Sequence, residues 1–247
     1  MEITDLIIVT LGIALGGFIK GATGAGAPVV GVPIVAIVLG VPMAVAIFAV
    51  LNMVSNTWQA WAYSGALADR RFVGRFALAG ALGVLPGTIL LARLPTDLLM
   101  AGLAVIVFLY IGLRVARPTW RLARADARTY VGPVGFAAGV MQGAGGISAP
   151  ASVTFLNAMR LERAEFVGTI AVFFLAMSVT QVPSLIALGI LDWPRIGLGL
   201  LAVIPLFGAM PLGAAAARRV SRETFDKLIL GVLAVVALRL IYNAIGG

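Results

Sequence analysis

Long apolar runs separated by short arginine-bearing stretches constrain this chain more than any other feature, because most of its surface suits lipid rather than water. The runs occupy about 3–20, 28–40, 42–63, 72–92, 96–116, 130–142, 150–158, 164–189, 194–217 and 223–245. A membrane-spanning helix needs roughly 20 apolar residues. The runs 42–63, 72–92, 96–116, 164–189, 194–217 and 223–245 supply that length, and the other four are short or glycine-broken. Hydrophobic residues make up 61% of the chain and charged residues 11%, against about 25% charged in a soluble domain. The expectation is an all-α polytopic membrane protein, with the lipid bilayer as its solvent.

The few charges orient it. Arg70, Arg71 and Arg75 follow one span, and Arg114, Arg117, Arg121, Arg124 and Arg128 follow another. Arg160 with Arg163, and Arg218, Arg219 and Arg222 with Lys227, mark two more basic stretches, while the opposite loops hold only Arg93 and Arg195. The positive-inside rule puts the basic loops in the cytoplasm and both termini outside, as in a multi-pass protein of a bacterial-type inner membrane. A net charge of +8 spread over several loops forms no continuous basic stripe, so nucleic acid is not an expected partner. The start, Met1-Glu2-Ile3-Thr4-Asp5, lacks the basic region and cleavage site of a signal peptide, and the first apolar run is expected to be retained.

Sliding the chain by 122 positions lays Gly17–Pro28 over Gly139–Pro150, with identities on Gly, Ala and Pro. Each half then reads as a broken or re-entrant pair of short segments followed by three transmembrane helices. The first repeat covers 1–122, with a cytoplasmic linker beginning near 114, and the second covers 123–247. One starts outside and the other inside, so the repeats are expected to be inverted. A re-entrant hairpin is favoured for 130–158, whose arms look too short to span. Interrupted helices at corresponding places of inverted repeats point to a secondary transporter with a midplane site. Pro is favoured in the first helical turn, so Pro28 and Pro150 are expected to open short helices whose N-termini, carrying unpaired N–H groups, suit an anion.

The candidate substrate-binding residues follow. Lys20 stands beside the first break, where an intramembrane amine either binds an anion or snorkels to the interface. Gln142 takes its place in the second half. Thr23, Gly24, Gly26 and Pro28, and Gly145, Gly146, Ser148 and Pro150, form the two breaks, where glycine admits a ligand to the backbone and hydroxyls add donors. Asn52, Asn56 and Gln59, with Tyr63, recur on one face of the third segment, and the shift places Gln59 on Gln181 and Asn56 on Ser178. That stripe serves either substrate contact or interhelical hydrogen bonding. Arg239 is expected to snorkel, and Trp58, Trp61, Trp120 and Trp193 to mark interfaces. Pro86, Pro205 and Pro211 are expected to kink their spans.

With no Cys, no His and all ten acidic residues at or near loops, the chain offers no metal cluster, nucleophile pair or carboxylate relay. It is not expected to be an enzyme, and no cofactor is implied. A passive anion channel, or a carrier of another small organic anion, would share nearly every feature, and a non-transporting scaffold would leave two symmetric breaks unexplained.

The paired stretches Gly17 to Pro28 and Gly139 to Pro150 resemble the duplicated signature of the TauE/SafE sulfite-exporter family, a resemblance that spans nearly the whole chain. It implies a two-module membrane permease for sulfite, organosulfonates or related small sulfur-containing anions. The family's glycine run is altered here to Gly24-Ala25-Gly26-Ala27-Pro28 and Gly146-Ile147-Ser148-Ala149-Pro150, a departure that bears on substrate more than on fold.

Overall fold

The computed structural model describes residues 2–116, 120–219 and 222–245. Met1 and Arg117, and the side chains of Arg222, Glu223 and Asp226, lie outside that description. The described residues are mostly helical, with no strand among them. α1 (Ile3–Thr23), α2 (Ala27–Leu39), α3 (Val41–Ala62), α4 (Arg70–Arg93) and α5 (Thr96–Ala116) make the first series. The second consists of α6 (Arg124–Gly145), α7 (Ser152–Ala158), α8 (Arg163–Ala187), α9 (Trp193–Leu201), α10 (Val203–Ala216) and α11 (Arg222–Ala244). Among the described residues, seven helices are long and apolar enough to cross a membrane, with α9 and α10 together counting as one. The protein is an all-α polytopic membrane protein.

Three sequence expectations change. The apolar run 130–142 is part of a 22-residue helix, α6, about 33 Å long at 1.5 Å per residue. The arm is not short, although α6 is not among the seven helices both long and apolar enough to cross. Its charged first turns are held by neighbours: Arg124 pairs with Glu165 of α8 at 3.0 Å, and Arg128 with Asp69, the N-cap of α4, at 2.9 Å. The run 194–217 divides at Ala202. Pro205 has no N–H to give Leu201, and its ring crowds that carbonyl; the adjacent bond from Leu206 N to Ala202 O is stretched to 3.4 Å. Pro28 sits in the first turn of α2, but Pro150 lies in the turn before α7, which starts only at Ser152. With seven residues, α7 is barely two turns long and offers little of the helix dipole expected of it.

Close backbone packing joins the halves crosswise. A Cβ on Gly17 would fall 2.2 Å from the Leu206 carbonyl oxygen, and one on Gly21 1.9 Å from that of Met210, so α1 lies directly on α10. On the other side, a Cβ on Gly139 would fall 2.1 Å from the Gly80 carbonyl oxygen and one on Gly143 2.5 Å from that of Val84, which seats α6 on α4. Small residues permit this approach in membranes, where van der Waals contact replaces a hydrophobic driving force. α3 and α8 pack together at the centre, and α5 against α11.

The aromatic core lies at one junction of the halves. Phe76 of α4 stacks on Phe173 of α8 with centroids 3.8 Å apart, and Phe155 of α7 tilts against Phe76 at 5.8 Å. This cluster fixes where α7 returns toward the start of α8.

Candidate functional site

Both breaks are made by residues that the left-handed backbone region admits cheaply. Gly24 caps α1 at φ 81° and Gly146 caps α6 at φ 70°. Their N–H groups close the last helical turns on Lys20 O at 2.7 Å and Gln142 O at 2.8 Å. At Gly24 a side chain is excluded twice, since its Cβ would also fall 2.3 Å from Val167. Gly26, also left-handed, then turns the chain into α2.

The polar face of α3 comes to the first break. Lys20 is 1% exposed, and its Nζ donates to Asn56 Oδ1 at 2.6 Å. The burial rules out snorkelling. Gln59 Nε2 donates to the Gly24 carbonyl at 3.2 Å. The second break is served in the same manner by α8: Gln181 Nε2 donates to the Gln142 carbonyl at 3.1 Å, and the two amide side chains meet at 3.5 Å. Thus each α3 or α8 glutamine holds a carbonyl at the broken end of the partner helix. Among the described residues, the buried atoms Ser55 Oγ, Asn56 Nδ2 and Gln59 Oε1 have no hydrogen-bond partner. Unpaired buried groups of this kind are uncommon and call for an explanation.

Pro28, Asn52 and Gln142, with Phe174 and Met177, line one small cavity of about 10 Å³ between the two halves, room for a single water. Thr23 and Gly26 instead face a larger cavity of about 390 Å³. The Thr23 hydroxyl is turned back on its own backbone, donating to Ile19 O at 2.8 Å and lying close to Ala25 O. Gly145 remains in the last turn of α6. Ser148 is buried beside Ser152, whose Oγ lies 3.2 Å from the Ser148 Oγ; neither Ser148 nor Pro150 lines either cavity. The residues expected to act together therefore fall into an α1–α3 group, an α6–α8 group and a cavity between them.

Sequence reasoning passed over Ser55 and three arginines of the larger cavity, Arg114, Arg160 and Arg163. Arg163 Nη2 donates to Ala22 O at 3.2 Å and reaches Gly21 O at 3.5 Å, tying the end of α1 to the start of α8. A basic residue near a helix C-terminus offsets the unpaired carbonyls there. Arg163→Ala should lower the apparent melting temperature in detergent by an amount equivalent to about 1 kcal/mol, while Arg163→Lys, with one amine able to reach the same carbonyls, should recover part of it. An unchanged melting curve for Arg163→Ala would show that the tie contributes nothing.

Trp61 near the end of α3 and Trp193 at the start of α9 are 76% and 84% exposed. Arg239 is exposed and lies over the Tyr242 ring, 5.1 Å from its centre.

No curated protein and no solved structure matches the chain. A family model described as sulfite exporter TauE/SafE matches residues 9–240, nearly the whole chain, and the chain belongs to that family.

Proposed function

We propose that the protein is a secondary transporter of a small sulfur-containing anion, such as sulfite or an organosulfonate, working by alternating access between two inverted modules. Membership of a sulfite-exporter family supports the substrate class. The observation that carries the mechanism is the buried Lys20–Asn56 contact at the first break, 2.6 Å long. One turn before Asn56 on α3, Asn52 lines a small cavity with Gln142, Phe174 and Met177 of the second half. As its ammonium, Lys20 brings positive charge to the site. Asn56 Nδ2 and Ser55 Oγ are donors awaiting an acceptor, and an oxyanion supplies acceptors without protons of its own to clash. Gln59 and Gln181 keep the broken helix ends in place around it.

Inversion is supported by the crosswise packing. α1 ends where Arg163 begins α8, whereas α6 begins where Arg124 meets α8, so the equivalent first arms run in opposite directions. The arginine-bearing ends gather on that same side, which the positive-inside rule assigns to the cytoplasm and which leaves both termini on the outer face of an inner membrane. A cavity of about 10 Å³ does not hold an anion. Substrate occupancy therefore requires the halves to part along the α3–α8 seam, which is the motion alternating access needs.

Proteoliposomes should take up labelled sulfite or a short sulfonate saturably and with counterflow, and Gln142→Ala should cut the rate by about tenfold, the scale of one hydrogen bond in a dry site. Linear, non-saturating flux without counterflow would establish the channel reading instead. No flux of any sulfur anion by well-folded protein would end the substrate assignment.

A further inference from the structure

The larger cavity is not needed to explain the Lys20 site, and its chemistry is different. Arg114, Arg160 and Arg163 line it, together with Thr23 and Asn157, and no acidic residue among the described ones does. Its remaining wall is apolar, with Val29, Leu156 and Ile229 among the contributors. At about 390 Å³ it falls within the range of small-molecule sites and is far roomier than a bare oxyanion requires.

Arg160 is the second observation. It has φ 54° and, among the described residues, is the one non-glycine with positive φ. Its N–H closes the end of α7 on Asn157 O at 3.2 Å, a helix-capping place at which glycine is the usual occupant. A long β-carbon-bearing side chain is disfavoured there, and conformations of this type persist where surrounding structure or function holds them. Arg160 lines the cavity and forms no ion pair among the described residues. Capping alone would be served better by glycine; the arginine adds only charge toward the cavity.

We propose that this cavity is a second binding site, distinct from the Lys20 site, for an amphiphilic organic anion in which a sulfonate head meets Arg160 and Arg114 and a short alkyl tail lies along the apolar wall. The assignment rests on the transport reading only for its flux arm; its binding arm stands without it. Because Gly26 and Thr23 also line the cavity, the site lies on the approach to the first break and collects substrate from the arginine-bearing side. Charge-lined clefts raise local anion concentration by about tenfold or more at low salt.

The test uses purified full-length protein in a neutral detergent, with thermal stabilisation by butanesulfonate as the probe and bare sulfite as its comparison. Butanesulfonate should stabilise the parent at lower concentration than sulfite. Arg160→Gly should fold at least as well as the parent, since glycine suits the backbone there, yet need at least about fivefold more butanesulfonate. Arg160→Lys should retain part of the response, and in a Lys20→Gln background, which removes the first site, the Arg160-dependent part should persist. In proteoliposomes the Arg160→Gly defect should appear as a raised half-saturation constant from the arginine-bearing side, shrinking as salt is added. An unshifted titration for Arg160→Gly, or its equal loss in Lys20→Gln, overturns the second site. Equal Arg160-dependent response to sulfite in the Lys20→Gln background overturns the amphiphilic class. If phosphatidylglycerol and not butanesulfonate gives the Arg160-dependent shift, the cavity is a lipid-headgroup site and the substrate assignment fails.

Discussion

Gly21→Ala and Gly143→Ala should each prevent recovery of folded protein. The added methyl at Gly21 would lie 1.9 Å from the Met210 carbonyl oxygen, and that at Gly143 would meet Val84 O at 2.5 Å and Thr88 N at 2.7 Å. These neighbours are backbone atoms inside continuous helices, so they cannot rotate away as a side-chain tip would. Relief requires α1 to lift from α10, or α6 from α4, along much of the contact. Overpacking commonly costs about 1–3 kcal/mol, and a clash against backbone belongs above that range. The measurement is monodisperse yield after detergent extraction, together with the apparent melting temperature. Gly102→Ala on α5 is the control: a methyl added there would meet nothing within 4 Å, and alanine should favour that helix by up to about 1 kcal/mol. If Gly21→Ala behaves like Gly102→Ala, α1 and α10 do not pack backbone to backbone.

Those contacts were only half legible in the sequence. Apolar length marks the spans well, since 96–116 is α5 to the residue and 42–63 and 164–189 miss α3 and α8 by at most two at either end. It fails where helix formation and apolarity part company. Arg124 to Arg128 are helical because Glu165 and Asp69 hold them, partners distant in sequence that no local window contains. The division of 194–217 needed the consequence of Pro205 for Leu201, which a kink was expected to absorb and a break absorbed instead. At the site, the 122-residue shift pairs Lys20 with Gln142, but their contacts differ: Lys20 reaches Asn56, whereas Gln142 reaches Gln181. Matching positions by a shift says nothing of the polar partner each side chain takes, because an amine and an amide need different ones. The arginines of the larger cavity were read only as orientation signals, because a residue's role in topology hides any role in recognition.

The Lys20–Asn56 contact carries the largest functional prediction. Lys20→Met should reduce sulfur-anion flux by at least about 100-fold, as expected when a buried charged donor to a ligand is removed, while the protein remains as stable as the parent or more so. An amine 1% exposed is costly to bury, and replacing buried charge with an apolar side chain of similar length is often neutral or favourable. Asn56→Leu has the opposite stability effect. It strips the acceptor that lies 2.6 Å from Lys20 Nζ and leaves that group buried without a partner, at a cost of about 3 kcal/mol. The double variant Lys20→Met/Asn56→Leu removes both polar groups and should regain most of that loss without regaining transport. This pattern separates function from folding, because stability is restored by the second substitution and flux is not. Should Lys20→Met transport normally, the amine belongs to the scaffold and the anion binds elsewhere. Should the double variant be no more stable than Asn56→Leu, the two side chains are not coupled, and the contact at the first break is incidental to the fold.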